Sequence, residues 1–255
     1  MTLDGTNSYL VLGDGEAFAI DPGPADPEHI SALLTAAATR DCRITAIAVT
    51  HGHRDHFPGA ALLAAQTGAP VFAHAFARFA HDREARDGAR IDVRGATLYA
   101  YETPGHAPDH LAFWFAPEAA LFTGDVILGR GTVAIAPPDG DMRAYQATLR
   151  RLRDDFPHAR IIYGGHGEPV VDPLAKIEHY IAHRQERENQ IVTALARSDR
   201  TLAGLVTAVY RDVAPALRGP AEQQVLAYLA ALEREGRVRV MGDAGLGPER
   251  YVLID

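Results

Sequence analysis

The chain has 255 residues, 47% of them hydrophobic, enough for a sizeable core in one large domain or in a main domain with an appendage. Its 25 basic and 33 acidic residues give a formal charge of −8, which argues against electrostatic capture of nucleic acid or of an anionic membrane and leaves room only for a local basic groove. No apolar run approaches the roughly 18 residues that span a bilayer, the opening Met1-Thr2-Leu3-Asp4-Gly5 lacks the basic-then-apolar layout of a signal peptide, and the single cysteine, Cys42, has no partner for an internal disulfide. A cytoplasmic protein with no membrane partner is expected. Lys176 is the only lysine, so nearly all positive charge is arginine, suited to bidentate recognition of carboxylate or phosphate.

Residues 7–12 and 17–20, joined by Gly13-Asp14-Gly15-Glu16, read as a β-hairpin. Residues 27–39 carry Ile30, Leu33, Leu34 and Ala37 at helical spacing. Residues 44–50 have the length and β-branched content of a buried strand. Residues 58–67 predict a helix entered through Pro58 and ended at Gly68, and residues 71–74 a short strand. Residues 78–94 are heavily charged and read as exposed, with a turn at Asp87-Gly88. Strands are predicted at 96–101, 120–122 and 159–163, and a helix at 141–156 with Met142, Tyr145, Leu149 and Leu152 along one face. From residue 174 to 197 runs one long helix with an apolar stripe of Ile177, Tyr180, Ile181, Ile191, Val192 and Leu195, broken where Arg184 and Glu188 share the face. Helices at 201–210 and 220–235 follow, then strands at 236–241 and 250–254 joined by a Gly-rich turn, the element order of a winged helix.

The chemistry concentrates at His51-Gly52-His53-Arg54-Asp55-His56, directly after the strand at 44–50. In extended chain residues i and i+2 share a side, so His51 and His53 can converge on one ion as the strand ends, while Asp55 and His56 face a second position. Imidazole and carboxylate are ligands for zinc, iron and manganese. A structural zinc site is usually closed with cysteines, so a cysteine-free cluster points to a catalytic metal that keeps a water. Three further pieces repeat the pattern of apolar run, Gly or Pro turn and one potential ligand: Thr103-Pro104-Gly105-His106, Thr123-Gly124-Asp125 and Gly164-Gly165-His166-Gly167.

In this order the residues resemble the metallo-β-lactamase superfamily. The resemblance implies an α+β fold, a four-layer αββα sandwich over residues 1–172 with a two-metal site on one edge. His51, His53 and His106 would hold the first metal, Asp55, His56 and His166 the second, and Asp125 would bridge them. Two divalent ions are expected, zinc first, with iron or manganese as alternatives. Asp21, in Ile20-Asp21-Pro22-Gly23, would orient the site, and His110 would either support it or face the substrate. Residues 165–169, the winged-helix appendage over 173–255, and His183-Arg184 with Arg187-Glu188 and Gln190 resemble the β-lactamase-like protein 2 branch. The chain starts abruptly at its first family-like strand, so the strand usual before it in such proteins is expected to be either absent or cut away.

The site implies hydrolysis by a metal-bound hydroxide, with Asp55 orienting the nucleophile and moving its proton. The first expectation is a small acyl ester or thioester. An endoribonuclease acting on single-stranded RNA is the alternative, since the branch is described in both terms. A mono-iron dioxygenase would also use His51, His53, His106 and Asp125. A winged-helix regulator of duplex DNA is disfavoured, because residues 220–235 carry Glu222, Glu233 and Glu235 against Arg234 alone, with Gln223 and Gln224 as the amides. Arg184 and Glu188 are read as an i,i+4 ion pair on a partly solvated face. The functional alternative has His183, Arg184 and Arg187 lining the substrate cleft. From Ile177 onward there are 10 basic and 11 acidic residues, so the appendage is expected to dock on the metal domain and wall that cleft.

Overall fold

The computed structural model describes residues 5–211, 213–214, 217–242 and 249–254. The hairpin opens the first sheet, with β1 (Tyr9–Leu12) antiparallel to β2 (Glu16–Ile20) and Tyr9 opposite Ile20. The chain then crosses through α1 (Pro27–Ala38) to β3 (Arg43–Ala48), and through α2 (Gly59–Thr67) to β4 (Val71–His74) and β5 (Arg83–Ala85), all parallel to β2. Asp26 caps α1 by accepting from the Glu28 N–H at 2.9 Å, with Pro27 at a position where its missing N–H costs nothing. Gly68 ends α2 in the left-handed region at φ 70.

The second sheet runs β6 (Arg90–Val93), β7 (Ala96–Glu102), β8 (Leu111–Phe115), β9 (Ala120–Gly124) and β10 (Ile161–Gly164), antiparallel except for the β9–β10 pair, which is joined through α3 (Met142–Asp155). Period-two alternation sorts the side chains into layers. Phe18 and Ile20 of β2 meet Leu111, Phe113 and Phe115 of β8 between the sheets. Ala19 of β2 faces outward beneath Ile30 and Leu33 of α1. Ala112 and Leu121 face outward on the other side, beneath Tyr145 and Leu149 of α3. The result is the four-layer αββα sandwich. Two differences from expectation fall at 78–94: the stretch read as exposed contributes β5 and β6, because Ala85 and Ile91 fill the inter-sheet core.

After the sandwich come α4 (Pro173–Arg197) and then β11 (Arg200–Thr201), α5 (Leu202–Val209), α6 (Arg218–Arg234), β12 (Val238–Met241) and β13 (Arg250–Leu253), the last five forming a winged helix with strands ordered β11-β13-β12. The Gly-rich turn between β12 and β13 lies outside the described residues. One buried cluster runs without a break from Leu149 of α3 through Tyr180 and Ile191 of α4 to Tyr228 and Leu232 of α6, so the C-terminal part docks on the sandwich. Among the described residues no helix is long and apolar enough to cross a membrane.

The expected Arg184–Glu188 ion pair on a solvated face is replaced by two separate buried arrangements. Arg184 is 1% exposed, lies 5.0 Å over the Tyr145 ring and donates to the Val133 carbonyl at 2.6 Å. Glu188 is 5% exposed and pairs with Arg143 of α3 and with Arg237 at 3.1 Å. The physical reason is packing: this face of α4 is covered by α3 and α6, and cations from other elements reach Glu188 first.

Candidate metal centre

The polar residues gather where strands of both sheets end. His51, His53, His106 and Asp125 form one group and Asp55, His56 and His166 another, the donor atoms within each lying within 4.8 Å of one another. His53 Nδ1 sits 2.9 Å from His51 Nε2 and 3.0 Å from His106 Nε2, so three rings converge on a point. His166 Nε2 lies 3.3 Å from Asp55 Oδ2, and His56 Nε2 3.5 Å from the same oxygen. Asp125 turns one oxygen to each group: Oδ2 is 3.6 Å from His106 Nε2, and Oδ1 is 3.4 Å from His166 Nε2. The donors also fit metal ions by what they lack. His56 Nε2 and Asp125 Oδ1 are buried with no hydrogen-bond partner among the described residues, which an isolated polar pocket would not tolerate cheaply. A Cβ on Gly165 would come 2.5 Å from Asp125 Oδ1, so the loop must carry glycine there for the donors to face one another.

A ring of contacts behind the donors fixes them. Asp21 Oδ2 lies 2.8 Å from His56 Nδ1 and accepts from the Thr50 hydroxyl at 2.7 Å, while Oδ1 accepts from the Thr50 N–H at 2.7 Å. Asp21 does this from a left-handed backbone at φ 48, a conformation that costs a non-glycine residue about 1–3 kcal/mol and that these bonds hold. His110 accepts from the Asp125 N–H at 3.1 Å, contacts the Thr103 hydroxyl at 2.8 Å and stacks on His51 at 4.8 Å, so it backs the donors from a buried position. His106 Nδ1 donates to the Ala134 carbonyl at 3.0 Å, and His166 Nδ1 to that of Gly5 at 2.8 Å. Thr6 donates to Asp55 Oδ2 at 2.9 Å.

Burial, reinforced by neighbouring imidazoles, holds His51 and His110 well below the usual histidine range. Burial also pushes His106 down to about 4 against the pull of Asp125. His166 goes the other way: burial opposes its charge, but the Asp125 and Asp55 carboxylates push it up to about 10. The same contacts, against the cost of burial, hold Asp55 and Asp125 well below the usual carboxylate range.

Beside His53 opens a cleft of ≈130 Å³ lined by residues such as Phe76, Arg78, Pro108, Asp109 and Asp139. The C-terminal residues expected there lie elsewhere. Arg184 is in the interdomain core. Arg187 lies 4.8 Å over the Tyr210 ring and donates to the Val209 carbonyl at 2.8 Å, and its Nε reaches His183 at 3.4 Å. Among the described residues none lining the cleft comes from beyond Asp139, so His183, Arg184 and Arg187 of α4 do not wall it. The residues not anticipated are Thr6, Thr50, Thr103, Asp109 and Gln224. Thr50 and Thr103 directly precede ligand-bearing turns, a signal that could have marked them; Gln224 has none in its own stretch.

Comparison with known proteins agrees with this fold. Residues 1–166 match the family described as metallo-beta-lactamase superfamily, and residues 201–246 the beta-lactamase associated winged helix domain. The chain belongs to the metallo-β-lactamase superfamily. It is 34% identical to a beta-lactamase-like protein 2 homolog of Caenorhabditis elegans, covering 93% of this chain and 81% of that protein. It is also 34% identical to an atrochrysone carboxyl ACP thioesterase of Aspergillus chevalieri, covering 88% and 71%. Among solved structures, a metallo-beta-lactamase family protein from Thermus thermophilus superposes with a TM-score of 0.78 at 25% identity, covering 98% of this chain and 94% of that one.

Proposed function

We propose that this protein is a dinuclear metal-dependent hydrolase of acyl esters or thioesters, with His51, His53 and His106 holding one divalent ion, Asp55, His56 and His166 the other, and Asp125 between them. The observation that carries the reading is the pair of donor groups facing a single carboxylate. Two divalent ions held there would make hydroxide available near neutral pH and would polarise the oxygen under attack. Zinc is the first expectation for a set of imidazoles and carboxylates, with iron or manganese next. Asp55 has its side chain 29% exposed on the open side of the site, where it is placed to orient water and take its proton, while the Thr6 hydroxyl fixes Oδ2, the oxygen that also faces His56 and His166. Asp21 sets the ring of His56, and His110 sets the backbone of Asp125.

Two things favour an acyl substrate. The chain's relatives include proteins named as thioesterases. The cleft offers one cation, Arg78, against Asp109 and Asp139, a poor track for a polyanion such as single-stranded RNA. A duplex-DNA role has still less support: α6 buries Ala227, Tyr228 and Leu229 in succession, and Gln224 is 6% exposed with its Oε1 accepting from the Ile135 N–H. We place the division of the chain at residues 172/173, where Asp172 caps α4.

The test is a panel of acyl thioesters, single-stranded RNA and nitrocefin, run on metal-loaded protein and on the Asp55→Ala variant. Thioester cleavage that stops in strong chelator and is abolished in Asp55→Ala, with little change in melting temperature, is expected. Cleavage of RNA alone would reverse the order of the two readings, and full activity in chelator would end both.

A further inference from the structure

We propose that the C-terminal winged helix is part of the metal centre's scaffold, and that Arg184 and Gln224 are positioning residues that set His106 through the segment 133–135. This rests on the dinuclear reading above. His106 makes its only backbone hydrogen bond among the described residues with the Ala134 carbonyl, at 3.0 Å. That bond fixes which nitrogen of the ring faces the donor group, the usual task of the partner behind a metal-bound histidine. The two residues flanking Ala134 are gripped from the C-terminal part. Arg184 Nη2 donates to the Val133 carbonyl at 2.6 Å, and Gln224 Oε1 accepts from the Ile135 N–H at 3.3 Å. Val133 and Ile135 are 4% and 0% exposed, so no solvent could replace these partners.

A second route reaches the same loop. Asp141 N donates to the Gly105 carbonyl at 2.8 Å, beside His106, and Asp141 Oδ2 is paired with Arg234 of α6 at 2.6 Å. There is no slack between them: a Cβ on Gly105 would stand 2.3 Å from the Tyr145 backbone. Two routes from α4 and α6 therefore reach the His106 turn, whereas the contacts behind Asp55, His56 and His166 come from Thr6, Asp21 and Gly5.

The placement predicts a selective loss. Zn²⁺ uptake by the full chain would be titrated against a chromophoric chelator for the wild type, Gln224→Leu, Arg184→Met, Arg184→Lys and the control Val225→Ala. Val225 is a buried neighbour on α6, and its truncation opens a cavity in the same helix. Gln224→Leu and Arg184→Met should each weaken one of the two Zn²⁺ equivalents by about 3- to 10-fold, below the 10–100-fold of a direct outer-contact change. The other equivalent should stay unchanged, Arg184→Lys should recover part of the loss, and Val225→Ala should lower the melting temperature without moving either affinity. If Arg184→Met does not fold, Gln224→Leu decides alone. Unchanged uptake in folded Gln224→Leu, equal weakening of both equivalents, or a matching loss in Val225→Ala would overturn the proposal and leave the dinuclear reading standing. Wild-type protein that takes up no Zn²⁺ would overturn both.

Discussion

The two donor groups share Asp125 but lean on opposite ends of the chain. Behind Asp55 and His166 stand Thr6 and Gly5, with the side chain of Asn7 bonded to the carbonyls of Gly164 and Gly167 at 3.1 and 2.8 Å. Behind His106 stand the 133–135 segment and α3, and behind those the winged helix. A short strap at residues 5–7 steadies Asp55 and His166, while α4 and α6 reach His106 through residues 133–135. The difference teaches that donors of one metal centre can rest on supports of very different stiffness, and that a strap of three residues is the easier one to disturb.

The comparison breaks most completely at Asp125. Outer-contact changes at metal centres cost about 10–100-fold in affinity, and Asp125→Ala should exceed that at both groups, because each faces one of its oxygens. Elemental analysis of the purified variant should show bound zinc falling at both positions; retention of two ions per chain would mean the carboxylate is not shared. Thr6→Val sharpens the contrast. It removes one hydroxyl donor to Asp55, and a hydrogen bond to a charged, partly exposed carboxylate supports a loss of about tenfold, the low end for such a contact. That loss should fall on one zinc equivalent, opposite to the one weakened by Gln224→Leu; loss of the same equivalent in both variants would erase the distinction between strap and domain. The smallest effect belongs to Arg187→Ala. Its cation–π contact with Tyr210 is worth about 0.5–1 kcal/mol, so the melting temperature should fall slightly while KM stays fixed. A raised KM would return Arg187 to the substrate cleft.

Most of the sandwich was legible because its strands alternate or end in glycine turns, and because His51, His53, Asp55 and His56 stand together after one of them. β8 was not: Leu111, Ala112, Phe113 and Phe115 are all buried, so both faces read apolar and period two vanishes. β5 was hidden for the opposite reason, since Arg83 and Glu84 are exposed and only Ala85 points into the core. On α4, helical spacing correctly put Arg184 and Glu188 on the apolar stripe, but spacing cannot say which cation a buried carboxylate will meet. Arg143 lies 45 residues away in sequence. Asp21 and His110 were marked by the local motif, while Gln224, reached only by the close approach of α6 to residue 135, was not.

The grip on residues 133–135 also orders events in time. All seven proposed metal ligands have left the ribosome once His166 has emerged, yet Arg184 and Gln224 follow later along the chain. Domains form in the order of synthesis. A nascent chain therefore holds a complete set of donors before it holds the side chains that steady one half of them. Premature metal capture would meet a looser His106 than the finished protein presents.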